Sequence, residues 1–179
     1  GPKPYSILYN DLEESKKEFP GVLDEDLESV EFWKKFDAKC KETFSDEDME
    51  QIKAYVPPPK GEFTENSEVY AKVKQYKQLE NSLRREYRLS KEKLTKFRSA
   101  MKQYVNAHNF HNFTQGKDFK DSSAIRFMKA INVSEPFVIG DAKTEWVSIK
   151  IHGQSFMLHQ IRKMISMATL VTRCGTPVE

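Results

Sequence analysis

Residues 147–173 have the sequence VSIKIHGQSFMLHQIRKMISMATLVTR, in which the spacing of apolar residues changes part of the way along. Val147, Ile149 and Ile151 alternate with polar residues, and this period of two predicts a strand, from Glu145 to His152, with one buried face. Helical spacing then predicts a final helix over 155–173, whose apolar residues share one side. They are Met157, Ile161, Met164, Ile165, Ala168 and Val171.

A second strand is predicted upstream of this stretch. Ile125 and Phe127, and then Ile131 and Val133, lie at alternate positions, as expected for a strand with one buried face. Pro136 and Gly140 mark the connection between the two strands. Residues 106–179 are therefore predicted to form a β-β-α section.

The chain before residue 106 is predicted to be helical. Helical spacing begins near Asp24, and Ser45 is expected to cap a second helix that ends before Pro57. A longer helix is predicted from about Ser67 to Arg88, and Ser90 is expected to cap the next one.

The last two of these helices are expected to pair. A tight turn near Leu89 would make them antiparallel over about residues 67–105. The sequence thus predicts an α+β fold in two parts. Residues 1–105 form a helical section that contains this basic hairpin, and residues 106–179 form the β-β-α section.

The predicted hairpin has a strong excess of positive charge. Residues 72–102 contain 11 Lys and Arg against three Glu, although the whole chain has a net charge of only +2. A phosphate backbone is a natural partner for such a surface, because neutralised phosphates release counterions. A solvated helical face has the same composition, and the charge alone leaves both interpretations open.

The four histidines all lie in the last 72 residues. His108 and His111 have a spacing that could present two rings to a metal, but no cysteine or carboxylate cluster lies nearby to complete a ligand set. We therefore predict no metal site, and a loop that binds RNA through Asn and His side chains. Lys150 and His152 share the polar face of the predicted strand with Trp146, which suits either a nucleic-acid surface or a solvated sheet face.

Two segments carry a resemblance to a known family. They are Ala107 to Phe113, AHNFHNF, and Gly153 to Met164, GQSFMLHQIRKM. Together they closely resemble the TruA-like tRNA pseudouridine synthases, in particular their eukaryotic branch of fungal and animal enzymes. Residues 21–29 also resemble the fungal members. One departure is Asn106, where that branch has Gly; Asn is expected to tolerate a positive φ there.

The resemblance implies a fold and an activity. The fold would be the C-terminal half of a pseudouridine synthase catalytic core, an antiparallel sheet with a packed helix, preceded by a helical insertion. The activity would be the isomerisation of uridine to pseudouridine in tRNA, with small nuclear RNA and messenger RNA as further candidates. The family needs no cofactor, since one carboxylate acts as nucleophile or as base, and the target base must leave the stack.

The resemblance also assigns roles to residues. Arg162 matches the family arginine that partners the catalytic aspartate and keeps it ionised. That aspartate lies in an Arg-Thr-Asp-Lys/Ala-Gly-Val-His-Ala motif, which does not occur in this sequence. We therefore expect the chain to be inactive alone and to need the rest of the parent catalytic domain as its partner. The expected RNA-binding residues are His108, Asn109, His111, Asn112, Lys150, His152, His159, Arg84, Arg85 and Arg88.

Composition bounds the remaining function classes. No stretch of 18 apolar residues occurs, so no membrane-spanning helix is expected. Two cysteines cannot form a disulfide framework, which favours a reducing compartment. The nucleus is the expected location, with the mitochondrion as the alternative. A non-catalytic RNA-binding module and a protein-interaction scaffold built on the acidic first sixty residues are the competing interpretations.

Overall fold

The computed structural model describes residues 27–58, 68–141, 143–174 and 178. The first 26 residues, which belong to the predicted helical section and include most of the 21–29 resemblance, lie outside this described part, as does Pro59. The described residues form an α+β structure, which confirms the predicted fold class. They divide into two compact units, the first ending at Tyr87 and the second beginning at Arg88. No helix within the described ranges is both long and apolar enough to cross a membrane.

The described residues of the first unit form three helices, α1 (Leu27–Thr43), α2 (Asp46–Ala54) and α3 (Glu68–Glu86). Its core is aromatic. Trp33 is 2% exposed and meets Phe36 edge-on, with 5.6 Å between ring centroids. Phe36 in turn meets Tyr76 of α3 at 5.1 Å, so these rings join α1 to α3.

The helix boundaries in this unit follow from local chemistry. Ser45 caps α2 as predicted, because its hydroxyl accepts from the backbone N–H of Asp48 at 3.1 Å. The carboxylate of Asp48 accepts from the N–H of Ser45 in return, at 3.0 Å, which completes a capping box. The helix ends at Ala54, before Pro57.

The described residues of the second unit combine two α-helices with antiparallel strands. Helix α4 (Lys91–Lys102) is capped by Ser90, and α5 (Gln160–Cys174) packs against it. Both contribute buried residues to a core that the sheet completes. The core residues are Ala100 and Met101 of α4, Met164 and Ala168 of α5, and Phe110 and Met128.

The main sheet has three antiparallel strands in the order β1-β2-β5. They are β1 (Asn106–Asn109), β2 (Ile125–Val133) and β5 (Ile149–Gly153). Two short 3-10 helices, His111–Phe113 and Ser122–Ala124, lie in the loop between β1 and β2. Strands β3 (Phe137–Ile139) and β4 (Thr144–Trp146) form a separate two-stranded sheet.

Four expectations differ from the structure. The predicted strand over 145–152 is divided, so that Trp146 lies in the small sheet whereas Lys150 and His152 lie in the main one. The final helix begins at Gln160 rather than Ser155, since the preceding residue, His159, has a φ of 61°, outside the helical region.

The third difference concerns β2. Ile125 and Phe127 are 52% and 40% exposed, while Met128 is fully buried and Ile131 packs on the core. A register shift between Met128 and Ala130 changes the inward-facing set from even to odd positions. The alternation in the sequence is real, but the bulge places its two halves on opposite faces.

The fourth difference concerns the helical hairpin. Helices α3 and α4 both form close to their predicted bounds, but they belong to different compact units. Within the first unit α3 packs on α1 and α2, and within the second α4 packs on α5 and β2. The compact units meet at Tyr87 and Arg88, and the division into a helical section over 1–105 and a β-β-α section over 106–179 stays a prediction.

Candidate functional site

The first resembling segment forms β1 and the 3-10 turn after it. Asn106, at the start of β1, has a φ of 84°, a left-handed conformation that Asn tolerates better than most residues. Phe110 follows β1 and is 1% exposed, packed with Met128 and Met164. This buried ring anchors the loop that carries the candidate His and Asn residues.

Three of the candidate loop residues have partners within the chain. The side-chain amide of Asn109 donates to the Phe119 carbonyl at 2.7 Å, and its oxygen accepts from the backbone N–H of His111 at 3.1 Å. That oxygen also lies 3.2 Å from Nδ1 of His111, which therefore carries a hydrogen in this contact. Nε2 of His108 lies 2.7 Å from the Val105 carbonyl. These bonds give all three residues a role in holding the loop, and their contact with RNA stays a prediction.

Asn112 and His159 remain exposed, as do Lys150 and His152 on β5. Lys150 and His152 lie on the sheet face opposite to Ile149 and Ile151, the β5 residues that pack on the core. Phe127 is exposed on the same outer face, because its pairing partner Ala107 also points away from the core. This face combines an aromatic ring with two side chains able to carry positive charge, as nucleic-acid surfaces do.

Arg162 lies in the first turn of α5 and is exposed. Among the described residues its guanidinium forms no ion pair and no hydrogen bond. Ile161, Met167 and Leu170 of the same helix are also open to solvent, at 37%, 47% and 51% exposure. Arg162 lies roughly 160° around the helix axis from the buried Met164, on the exposed side of α5.

The neighbouring Lys163 has a different environment, which the sequence did not reveal. Its ammonium group donates to the Thr114 carbonyl at 2.7 Å and to the Asn112 carbonyl at 3.4 Å. The Thr114 hydroxyl donates in turn to the Leu158 carbonyl at 3.0 Å. These bonds join the two resembling segments to each other, and no signal in a single sequence marks such a contact between backbone carbonyls and a distant lysine.

The two candidate arginines of the first unit differ in their exposure to solvent. Arg84 is half-buried, because it donates to the Glu80 carboxylate at 2.5 and 2.7 Å and lies over the rings of Phe32 and Trp33. Arg85, near the end of α3, is exposed, and so are Lys74 and Lys77 earlier in the same helix. In the second unit Arg88 is exposed and donates to the Lys143 carbonyl at 3.2 Å.

The carboxylates of Asp48 and Asp121 have strongly lowered pKa values. Hydrogen bonds from Ser123 and Lys117 lower the pKa of Asp121 to about 2, and the same carboxylate caps the 3-10 helix Ser122–Ala124. A hydrogen bond from Lys72 and the capping box with Ser45 lower the pKa of Asp48 to about 2. Both carboxylates stabilise local backbone structure. The described residues include no group of three or more His, Cys, Asp or Glu that could hold a metal ion.

Comparisons with known proteins agree with this architecture. A protein-family model described as tRNA pseudouridine synthase matches residues 100–179, which include both resembling segments. The whole chain is 71% identical to tRNA pseudouridine synthase 1 of Saccharomyces cerevisiae and 70% identical to tRNA pseudouridine synthase 1 of Candida glabrata. Over 91 residues, 51% of the chain, it is 50% identical to a tRNA pseudouridine(27/28) synthase of Saccharomyces cerevisiae, and covers 23% of that protein.

The chain spans 33% of the length of each of the first two relatives. The match to these two relatives covers the whole chain, so it extends over the helices of the first unit as well as the sheet and helix α5. The match to the family model and the high identity to the fungal proteins agree with the resemblance carried by the two segments. The chain belongs to the TruA-like tRNA pseudouridine synthase family.

Proposed function

We propose that this chain is part of an RNA-modifying enzyme that isomerises uridine to pseudouridine in tRNA. It supplies one side of the active site and part of the RNA-binding surface, and the rest of the catalytic domain supplies the reacting carboxylate. Small nuclear RNA and messenger RNA are further proposed substrates. The proposed location is the nucleus, with the mitochondrion as the alternative, and imaging of the tagged full-length protein distinguishes the two.

The observation that carries this proposal is the setting of Arg162. A guanidinium that is covered in a domain interface normally pairs with a carboxylate, because an uncompensated buried charge is costly. Arg162 has no such partner among the described residues, and it lies within the segment that matches the family model. A carboxylate from another part of the enzyme is therefore its proposed partner.

The exposed apolar side chains of α5 support the same arrangement. Met167 and Leu170 are exposed on one side of α5, beside the face that carries the fully buried Met164 and Ala168. Burying such side chains in a domain interface would be favourable by roughly 25 cal/mol per Å² of apolar surface. The rest of the catalytic domain is the proposed cover for this face.

Besides the pairing of Arg162 with a carboxylate, the proposed reaction needs little from the protein. The bond between N1 and the ribose C1′ breaks, the base rotates, and C5 bonds to C1′; C5 then loses its hydrogen and N1 gains one. The guanidinium of Arg162 lowers the pKa of the carboxylate, so that it is ionised when it acts on the ribose. The target base leaves its stack to reach this site.

A chimera tests the proposal. The chain would replace the matching third of the Saccharomyces cerevisiae relative, and a tRNA transcript labelled with tritium at C5 of uridine would be the substrate. Pseudouridine formation releases that tritium, so we expect release at a rate within about tenfold of the unmodified relative. A chimera that folds and binds tRNA but releases no tritium would favour the alternative, a non-catalytic RNA-binding module.

A further inference from the structure

The two resembling segments are held together by a small set of hydrogen bonds around Lys163. Its ammonium group lies 2.7 Å from the carbonyl oxygen of Thr114 and 3.4 Å from that of Asn112. The hydroxyl of Thr114, a residue only 7% exposed, donates to the carbonyl of Leu158 at 3.0 Å. We name these residues, Asn112, Thr114, Leu158 and Lys163, the loop clamp.

The loop side of the clamp lies at the C-terminal end of the 3-10 helix His111–Phe113. Carbonyls at the end of a short helix lack partners within it and carry partial negative charge. The ammonium of Lys163 meets the carbonyl of Asn112 in this helix and that of Thr114 immediately after it. A compact ammonium with three donors can satisfy two convergent carbonyls, whereas the planar fork of an arginine is larger and fits less well.

The helix side of the clamp is also fixed. The side-chain oxygen of the fully buried Gln160 accepts from the backbone N–H of Met157 at 2.9 Å, and His159 has a φ of 61°. The chain therefore enters α5 through a defined turn, immediately before Lys163. Leu158, whose carbonyl meets Thr114, belongs to this turn.

These contacts determine where Arg162 points. Successive residues on a helix are separated by about 100° around its axis. With Lys163 held against the loop, Arg162 is turned by that angle away from it, onto the exposed face of α5. The same bonds keep the exposed Asn112 beside the first turn of the helix.

We propose that Lys163 is a positioning residue of the active site. Through the loop clamp it fixes the orientation of Arg162 and the position of the Asn112 loop relative to α5. Lys163 touches neither RNA nor the reacting atoms. This inference rests on the proposed function, and it assigns Lys163 a role in the rate of the chemical step rather than in substrate affinity.

The test uses the full-length chimera and its Lys163→Met variant, which keeps the length of the side chain but removes the donors. Misplacement of a reacting group by about 1 Å can cost on the order of a hundredfold in rate. We therefore expect the single-turnover rate constant to fall by about tenfold to a hundredfold, with the tRNA dissociation constant changed by less than about twofold. Lys41→Met, at an exposed lysine of α1, is the matched control and should leave both unchanged.

Thr114 provides a second variant without a change of charge. Thr114→Val removes the bond to Leu158 and should lower the same rate constant, whereas Thr114→Ser keeps the hydroxyl and should restore most of it. Because both residues act through one clamp, the double variant Lys163→Met with Thr114→Val should lose less than the product of the two single losses. An unchanged rate constant in Lys163→Met would overturn the proposal, as would a tRNA affinity that falls together with its salt dependence.

The proposed function can fail while the loop clamp is still tested. If the unmutated chimera does not isomerise uridine, the function is wrong, and amide hydrogen exchange in the same chimera still tests the clamp. Phe113 donates its backbone N–H to the Phe110 carbonyl at 2.9 Å within the clamped turn. Lys163→Met should speed exchange at this amide by at least about tenfold and leave amides in the interior of α4 unchanged. Equal exchange at Phe113 in both proteins would overturn the clamp itself.

Discussion

Arg162 and Lys163 are adjacent basic residues with opposite surroundings. Lys163 donates to two backbone carbonyls, while Arg162 is exposed and has no partner within the described ranges. A guanidinium can hold a carboxylate with two parallel hydrogen bonds, and a lysine offers only a point charge. The identity of the residue at position 162 should therefore matter for the reaction even when its charge is kept.

The first prediction follows from this difference. In the full-length chimera, Arg162→Lys should lower the single-turnover rate constant by roughly tenfold or more, and Arg162→Ala by on the order of a hundredfold or more, as for other preorganised groups that stabilise charge. The tRNA dissociation constant should change little in either variant. A rate equal to that of the unmutated chimera in Arg162→Ala would remove Arg162 from the active site.

The second prediction concerns Gly153 at the end of β5. A Cβ atom at this position would lie 2.9 Å from Sδ of the fully buried Met128 and 3.1 Å from the Phe156 ring. Because the fully buried Met128 must shift to admit the methyl group, Gly153→Ala should lower the free energy of unfolding by about 1–3 kcal/mol. Urea denaturation of the chain, followed by circular dichroism, measures this loss.

Ser155→Ala is the control for Gly153→Ala. Ser155 is exposed two residues further along, and an exposed substitution away from special features should change stability by less than about 0.5 kcal/mol. Equal stability of Gly153→Ala and Ser155→Ala would show that the β5 end can rearrange to admit a methyl group.

For single residues, the sequence predicted the conformation only where near neighbours in the chain determine it. Asn106 was expected to tolerate a positive φ if its place in the family motif required one, and its φ is 84°. Lys163 was not among the predicted site residues, because its partners lie about 50 residues away and are backbone carbonyls, which every residue type provides. Arg84 was grouped with Arg85 on charge alone, although its partners are Glu80 and two aromatic rings.

At the scale of elements, α2 contains a carboxylate whose titration affects stability. Hydrogen bonds from Lys72 and from Ser45 lower the pKa of Asp48 from 3.8 to about 2. A carboxyl with a lowered pKa in the folded state binds fewer protons there than in the unfolded chain. Its stabilising contribution is therefore fully present above about pH 4, the ordinary range for an aspartate, and is lost as the pH falls towards 2.

The third prediction uses this pH dependence. Asp48→Asn should flatten the dependence of the free energy of unfolding on pH between about pH 4 and pH 2. The variant lacks the carboxyl group that releases a proton when the chain folds. Urea denaturation at a series of pH values, followed at the helical circular dichroism band, provides the measurement. Asp46→Asn, at an exposed residue of the same first turn, is the control. An Asp48→Asn profile parallel to that of the unmutated chain at all pH values would contradict the assignment.

The fourth prediction concerns the exposed basic side of α3. Lys74, Lys77 and Arg85 are exposed and lie three, eight and eleven residues apart, which places them on one side of the helix. Changing all three to Glu in the full-length chimera should raise the tRNA dissociation constant by at least about tenfold. The slope of log affinity against log salt should fall by about 1 for each side chain that contacts a phosphate.

A matched set of charge reversals is available in the same unit. Lys34, Lys41 and Lys53 are exposed on α1 and α2, and changing them to Glu alters the net charge by the same amount. If both sets weaken binding equally, the effect comes from total charge, and the α3 side is only a solvated helical face.

Helix boundaries were the best predicted elements, because caps and prolines act locally. Ser45, Ser90 and Pro57 mark ends that the structure confirms to within a few residues. The bulge in β2 and the division of the 145–152 strand were not predicted, since both depend on pairing with distant strands. The sequence pattern of Ile125 and Phe127 matched a buried face, and only the register shift after Met128 places these residues on the outer one.

At the scale of the whole molecule, the chain contains two compact units, each with its own core. The aromatic cluster around Trp33 belongs to the first, and the cluster around Met128 and Met164 belongs to the second. Arg162, Lys163 and the candidate His and Asn residues all lie in the second unit. The segment matched by the family model, residues 100–179, lies entirely in that unit.

The fifth prediction is that the chain alone does not isomerise uridine. The Arg-Thr-Asp motif expected for the family's reacting carboxylate does not occur in its sequence. Tritium release from a tRNA transcript labelled at C5 of uridine should stay at the level without protein. Adding the remaining segments of the Saccharomyces cerevisiae relative should bring release above it, and measurable release by the chain alone would contradict the prediction.

The chain has two tryptophans, and the structure places one in each unit. Trp33 is 2% exposed among aromatic rings, whereas Trp146 in the small sheet is 55% exposed. An indole in an apolar core emits at shorter wavelength than one in water, so the two emission bands should be separable without any added dye. Replacing either tryptophan by phenylalanine would leave a chain whose ultraviolet fluorescence follows a single unit, and unfolding of the helical part and of the sheet part could then be recorded independently.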